Sequence, residues 1–415
     1  MRKTKTERAI TLVALIITIV VLLVLATVAI NSVVNDGIIS HAGNATNKYN
    51  ESVANEQNML GEYLNYLNPS NGGGSGLGDA TVGTKVTSLS TINGQAYNEN
   101  NPVIPAGFIA INTTASSWDG ADLAAEVKKG LVITDSVDGN GVSNGNEFVW
   151  IPVPTLDAFA RLKDGSTENY RGVLYNFKTD GTVTERGWTS TEIYYIEPAN
   201  LTDSTNGYDD NAGRFTTGIK DEWDENYYQE AFNKMVESVT KYKGFYVGRY
   251  EMSINSTSGK AESVAGATSA TASADSANMW WGLYEKATTY SQSGVISEMI
   301  WGCQYDAMMK WMKSNNIDVT STTPTDTNRN VVASKNTTRV TGSVDSNDIL
   351  NNIYDILGNS NEWTQEANGT FYRITRGGYF TPYVDYNPST RNDGGRKPTE
   401  NHGNFGSRLS LYVEL

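Results

Sequence analysis

The chain has 415 residues, enough for roughly two or three ordinary domains or one large domain with appendages, and it carries 32 Lys plus Arg against 46 Asp plus Glu, a formal charge of −14. That acidity excludes a basic groove for nucleic acid. The single cysteine, Cys303, excludes an intrachain disulfide and any multi-thiolate metal site, and the two histidines, His41 and His402, leave almost no material for a Ser-His-acid triad.

Residues 1–9 form a basic leader containing Arg2, Lys3, Lys5 and Arg8, and Ile10 to Ile30 is uncharged over 21 residues. Such a span is long enough to cross a bilayer, and its positive flank puts the amino terminus in the cytoplasm and everything after Asn31 outside the cell. A secretory signal cleaved near Ala26 to Ala29 is the alternative use of the same segment. Residues 31–67 carry spaced apolar side chains, among them Met59, Leu60, Tyr63, Leu64 and Leu67, and predict a helical stalk. The Gly- and Ser-rich run 68–79 then predicts a flexible linker before a head over residues 80–415.

The stretch TKTERAITLVALIITIVVLL resembles the leader and first helix of type IV prepilins. The resemblance implies cleavage between Ala9 and Ile10, a single-pass membrane anchor, and pilin-like subunits as partners. Pilins usually carry a glutamate at the fifth mature position; Ala14 stands here.

Within the head, GFIAI, GLVIT, EFVWIPV and GFYVGRYEM read as short strands. Helices are expected over Glu222 to Lys243 and Ser297 to Asn316. In the second, Met299, Ile300, Cys303, Met308, Trp311 and Met312 recur at helical spacing and predict a core stripe around an inert thiol. Few helices among many short strands define an α+β head. The pair Trp280 and Trp281 reads as core, with a sugar-stacking platform as its alternative. The acidic run Asp135 to Glu147 lacks the spacing of an EF-hand loop and reads as solvated turns.

Four ordered motifs, EFVWIPV, GFYVGRYEMS, NIYDILGNSNEWT and ITRGGYF, with the close FGSRLSLY, resemble the formylglycine-generating sulfatase-modifying enzyme family, a variant of the C-type lectin fold. The resemblance covers most of Asn146 to Leu415 and implies a C-type-lectin-like head. It also implies a structural Ca2+ in NIYDILGNSNEWT, held by the Asp355 and Glu362 side chains and the Gly358 and Ser360 carbonyls. Hard carboxylate and carbonyl oxygens in a bent loop are what that ion takes. The family's activity uses two cysteines downstream of the RGG motif for Cu(I), a soft ion that wants thiolates. Pro382 and Asn387 occupy those positions here, so no copper and no such catalysis is expected.

Tyr379 to Arg396, YFTPYVDYNPSTRNDGGR, sets aromatic residues among small polar ones, the composition that binding surfaces use. Tyr379, Phe380, Tyr383, Asp385 and Tyr386 are the candidate ligand-binding residues of its first half. Asn387, Arg391, Asn392, Asp393 and Arg396 are those of its second. The segment has no Lys, Glu, Gln, Met or Trp and resembles the variable segment of diversity-generating-retroelement targets, with 379–408 as the candidate extent. The expectation is a surface-displayed binder of an extracellular protein or glycan. An enzyme using other chemistry in the same cleft and a structural minor pilin are the alternatives.

Overall fold

The computed structural model describes residues 77–92, 94–111, 123–163, 165–186, 227–270, 280–321, 340–342, 349–368, 372–378, 386–396 and 403–415. All of these lie in the unit Gly76–Leu415. The leader, the apolar span, the stalk and nearly all of the linker fall outside the described residues. No helix among the described residues is long and apolar enough to cross a membrane.

In chain order the elements that build the head are β1 (Ile109–Ile111), α1 (Leu123–Lys129), β2 (Val132–Thr134), β3 (Glu147–Pro152), α2 (Tyr227–Tyr242) and β4 (Gly244–Gly248). There follow α3 (Trp280–Ala287), β5 (Val295–Met299), α4 (Gly302–Ser314), β6 (Asn361–Asn368), β7 (Tyr372–Arg376), β8 (Arg391–Arg396), β9 (Phe405–Ser407) and β10 (Leu409–Val413). The architecture is α+β, with short two-stranded ladders around two larger sheets. One sheet has the order β5-β10-β4-β3-β2-β1 and is antiparallel throughout; the other has the order β8-β7-β6-β9.

The runs FYV and LSLY are buried at every residue, so β4 and β10 are covered on both faces and read as continuous apolar strings. On one side lies α2, whose Tyr228, Phe232, Met235, Val236 and Val239 follow helical spacing and are fully buried. Lys243, in the left-handed region at φ 65°, turns the chain from α2 straight into β4. Helix α4 packs against β3 and β6, and α3 against β5.

The expected helix from Ser297 begins only at Gly302. Its first residues belong to β5, where Val295–Met299 pairs residue for residue with β10. The Trp301 N–H donates to the Gln304 side chain at 3.0 Å and starts the helix there. The core stripe holds across both elements, since Met299, Ile300, Cys303, Met308, Trp311 and Met312 are all buried.

A bulge in β6 between Trp363 and Ala367 frees backbone carbonyls from the ladder. The Trp280 indole N–H takes the Thr364 carbonyl at 2.8 Å, and the Tyr228 hydroxyl takes that of Gln365 at 3.4 Å. Trp280 and Trp281 are both buried, which removes them as an exposed stacking platform. Asp138, in the acidic run, accepts the N–H groups of Asn140 and Val142 as an exposed turn does.

Candidate functional site

The NIYDILGNSNEWT loop is shaped by left-handed backbone at Asn351, Asn352, Asp355 and Asn359, residue types that tolerate it, and by Gly358 at φ 131°. Asp355 Oδ2 accepts the Gly342 N–H at 2.9 Å. Glu362 Oε1 accepts Arg408 Nε–H at 2.9 Å and also pairs with Nη2, while Arg408 gives further hydrogen bonds to the carbonyls of Gly248 and Tyr354, each at 2.8 Å. Beneath the loop sits Glu251, wholly buried at the end of GRYE. Its Oε1 accepts the Ser360 N–H at 3.0 Å, and its Oε2 accepts Asn359 Nδ2–H at 2.5 Å and the Ser269 hydroxyl.

Burial, then the charges of Asp355 and Glu362, push the Glu251 carboxyl well above its usual range. Burial also raises Glu362, against the pull of Arg408. Asp355 thus raises both Glu251 and Glu362, while the Arg408 guanidinium lowers both. Glu362 Oε2, Ser360 Oγ and Asn361 Oδ1 are buried and have no hydrogen-bond partner among the described residues. Clustered carboxylates and idle hard oxygens fit a divalent cation, and among the described residues no hydrogen-bond donor takes Glu362 Oε2. Among the described residues, however, no three His, Cys, Asp or Glu side chains converge as a ready ligand set, so backbone carbonyls would have to supply the rest.

The RGG motif at the end of β7 lies beside this loop, Arg376 being the ladder partner of Glu362, and it adjoins a second buried cluster. Arg376 bonds Asp306 of α4 through Nη2 and lies 3.4 Å from Glu366 of β6 through Nη1. Arg391, at the start of β8, lies 2.8 Å from Asp306 and 2.7 Å from Glu366. Asp306 also accepts the Tyr175 N–H at 2.8 Å, and Arg391 donates to the Tyr175 carbonyl at 3.0 Å. Burial raises Asp306, but Arg376 and Arg391 outweigh it and hold its carboxyl below the usual range.

Arg376 and Arg391 are direct partners across the β7–β8 ladder, and the Gly377 N–H bonds the Thr390 carbonyl at 3.1 Å. The segment from Gly377 to Thr390 is thus closed at its base by two arginines sharing two buried carboxylates. Gly377 is needed there: it sits at φ +70°, and a Cβ would lie 2.5 Å from the Ile356 carbonyl oxygen.

This corrects the expected exposure of Arg391, whose side chain is only 5% exposed and committed to ion pairs. Tyr386, Asn387 and Asn392 are half-buried. The Asn387 N–H bonds Thr390 Oγ1 at 2.7 Å and its Oδ1 accepts the Ser389 hydroxyl at 2.8 Å, a compact turn leading into β8. Asp393 and Arg396 belong to the β8 backbone. Tyr379, Phe380, Tyr383 and Asp385, like Ala9 and Ile10, lie outside the described residues. Sequence reading missed Glu251, Asp306, Glu366 and Arg408, because a lone acid or arginine carries no pattern until its partner, 10 to 109 residues away, is known.

No known protein family and no curated protein matches the chain. Among solved structures it is similar to Treponema denticola variable protein 1 at 13% identity and a TM-score of 0.25, over 65% of this chain and 96% of that one. A likeness at that level carries no argument about fold or function.

Proposed function

We propose that the chain is a pilin-like, membrane-anchored surface protein whose head, a C-type-lectin-like scaffold, binds an extracellular protein or glycan through the segment 379–396. The observation that carries this reading is the clamp. Arg376 and Arg391 fix both ends of the segment Gly377 to Thr390 to the same buried pair, Asp306 and Glu366. The side chains between the two clamp arginines take no part in these ion pairs with Asp306 and Glu366, so that stretch is free to vary, which suits recognition and suits diversification. The same ion pairs consume the charged groups nearest the RGG motif, which favours binding over an enzyme. Exchanging residues 379–385 for a Gly-Ser run of equal length tests the reading on protein and glycan arrays. Binding is expected to vanish; binding retained at full strength overturns it.

Calcium in the Asp355 to Glu362 loop belongs to the same proposal, with Asp355 and Glu362 side chains and the Gly358 and Ser360 carbonyls as donors. The ion would offset the repulsion among Glu251, Asp355 and Glu362 and stiffen the turn that precedes β6. Because a ligand that binds only the folded state stabilises by mass action, calcium at 100 times its Kd adds about 2.7 kcal/mol. The expected result is a melting midpoint several degrees lower in chelator than in calcium, with the difference abolished by Glu362→Gln. An identical midpoint in both, with no metal in the purified protein, returns the loop to a plain turn braced by Arg408.

A further inference from the structure

Among the described residues the fully buried arginines Arg376 and Arg408, and Arg391 beside them, each pair with a buried carboxylate, and Arg373 does not. Arg408 sets its Nε and Nη2 edge against Glu362, and Arg391 sets the same two atoms against Glu366 and Asp306. Arg373, on β7 three residues before Arg376, is 1% exposed, yet its Nε and Nη2 have no acceptor among the described residues. Its hydrogen bond is a long one, from Nη1 to the Gln365 carbonyl at 3.4 Å.

Those two idle atoms are not scattered. They form the side-on edge of the guanidinium, the fork whose parallel N–H groups match the two oxygens of a carboxylate. The plane of the fork is shielded by aromatic rings: the guanidinium carbon lies 4.5 Å from the ring centre of Trp280 and 5.9 Å from that of Tyr228. Cation–π contact offsets part of the desolvation but supplies no acceptor for the N–H groups. Burial pulls the pKa of Arg373 below the ordinary arginine value, and the ionisable groups that oppose this are Tyr228 and Tyr284. Arginine does not shed its proton in proteins, so the charge stays and the edge stays polar. A buried cation with an unanswered fork has a missing acceptor.

We propose that the Nε–Nη2 edge of Arg373, walled by Trp280 and Tyr228, is a seat for the carboxylate of an acidic ligand. The two oxygens of the planar anion match the two parallel N–H groups of the fork. The seat lies on the strand that leads into the recognition segment, and Arg373 is the ladder partner of Arg396. The proposal rests on the ligand-binding reading for its biological use, since it makes the ligand an acidic one. The seat itself is read out without any partner.

Two sources supply this chemistry, an acidic sugar and an acidic peptide. The full-length chain in detergent micelles is titrated at fixed ionic strength with acetate, glucuronate and N-acetylglutamate, and with glucose and chloride as controls. The readouts are tryptophan fluorescence, which Trp280 reports at contact range, and the melting midpoint. Saturable responses are expected to the carboxylates and not to the controls, with the tighter of glucuronate and N-acetylglutamate naming the source. Arg373→Met is expected to weaken the response at least about tenfold, the loss that 1.4 kcal/mol represents. If that variant does not fold, Arg373→Lys, which keeps the charge and loses the fork, takes its place with the same expectation. No saturable response to any carboxylate overturns the proposal, as does an unchanged response in the folded variant. The 379–385 exchange leaves the acetate response intact, so failure of the seat and failure of the recognition segment are distinguishable.

Discussion

Asp306→Ala is expected to cost about 3 to 5 kcal/mol of unfolding free energy, the penalty for breaking a buried ion pair by removing one partner. The carboxylate is fully buried and answers Arg376, Arg391 and the Tyr175 N–H together. Its loss leaves Glu366 facing two guanidinium groups and the Tyr175 amide without an acceptor. Urea unfolding of the wild type and the variant measures the difference. The segment from Gly377 to Thr390 should become cleavable at protease levels that spare the rest of the head, because both of its anchors depend on this one side chain. A loss under about 1 kcal/mol would mean that Glu366 alone holds the clamp.

A second large effect is expected with pH, and it runs against the usual direction for a carboxylate. Burial raises Glu298 from 4.5 to about 7, opposed by hydrogen bonds from the Trp301 indole at 2.7 Å and the Tyr412 hydroxyl at 2.9 Å. Between those two values the folded chain keeps a proton that the unfolded chain has lost. Stability from this group is therefore fully present below pH 4.5, falls as pH rises, and levels off above about pH 7. At about 1.4 kcal/mol per unit the fall amounts to roughly 3 kcal/mol. Glu251, also raised, adds a slope of the same sign, so the test is the difference between the wild type and Glu298→Gln. The variant should show the shallower decline between pH 4.5 and 7; parallel curves would place a normal carboxyl at this position.

What was legible in the sequence and what was not follow from the range of the interactions. The strands EFVWIPV and GFYVG announce themselves because burial on both faces needs consecutive apolar residues, and α2 does so because its apolar residues recur at helical spacing. The NIYDILGNSNEWT turn is legible through its Gly and Asn residues, which the left-handed positions require. By contrast, β5 was hidden inside an expected helix. Its pairing with β10 joins residues more than a hundred positions apart, and Met299 and Ile300 fit either period. Arg391 was misread for the same reason: among Asn, Asp, Ser and Gly it looks like a surface residue, and only the distant Asp306 and Glu366 draw it inside.

The claim on which the account stands is that recognition and scaffold are separable at the Arg376–Arg391 clamp. The most direct measurement pairs two readouts on one sample, partner binding and melting midpoint, for Tyr379→Ala combined with Tyr383→Ala. Truncating central aromatic anchors of a binding surface typically costs about 2 kcal/mol or more each, while an exposed side chain adds within about 0.5 kcal/mol to stability. The account predicts binding weakened by roughly three orders of magnitude, since every 1.4 kcal/mol is about tenfold, with a midpoint close to that of the wild type. A variant that binds normally, or one that unfolds, would contradict it.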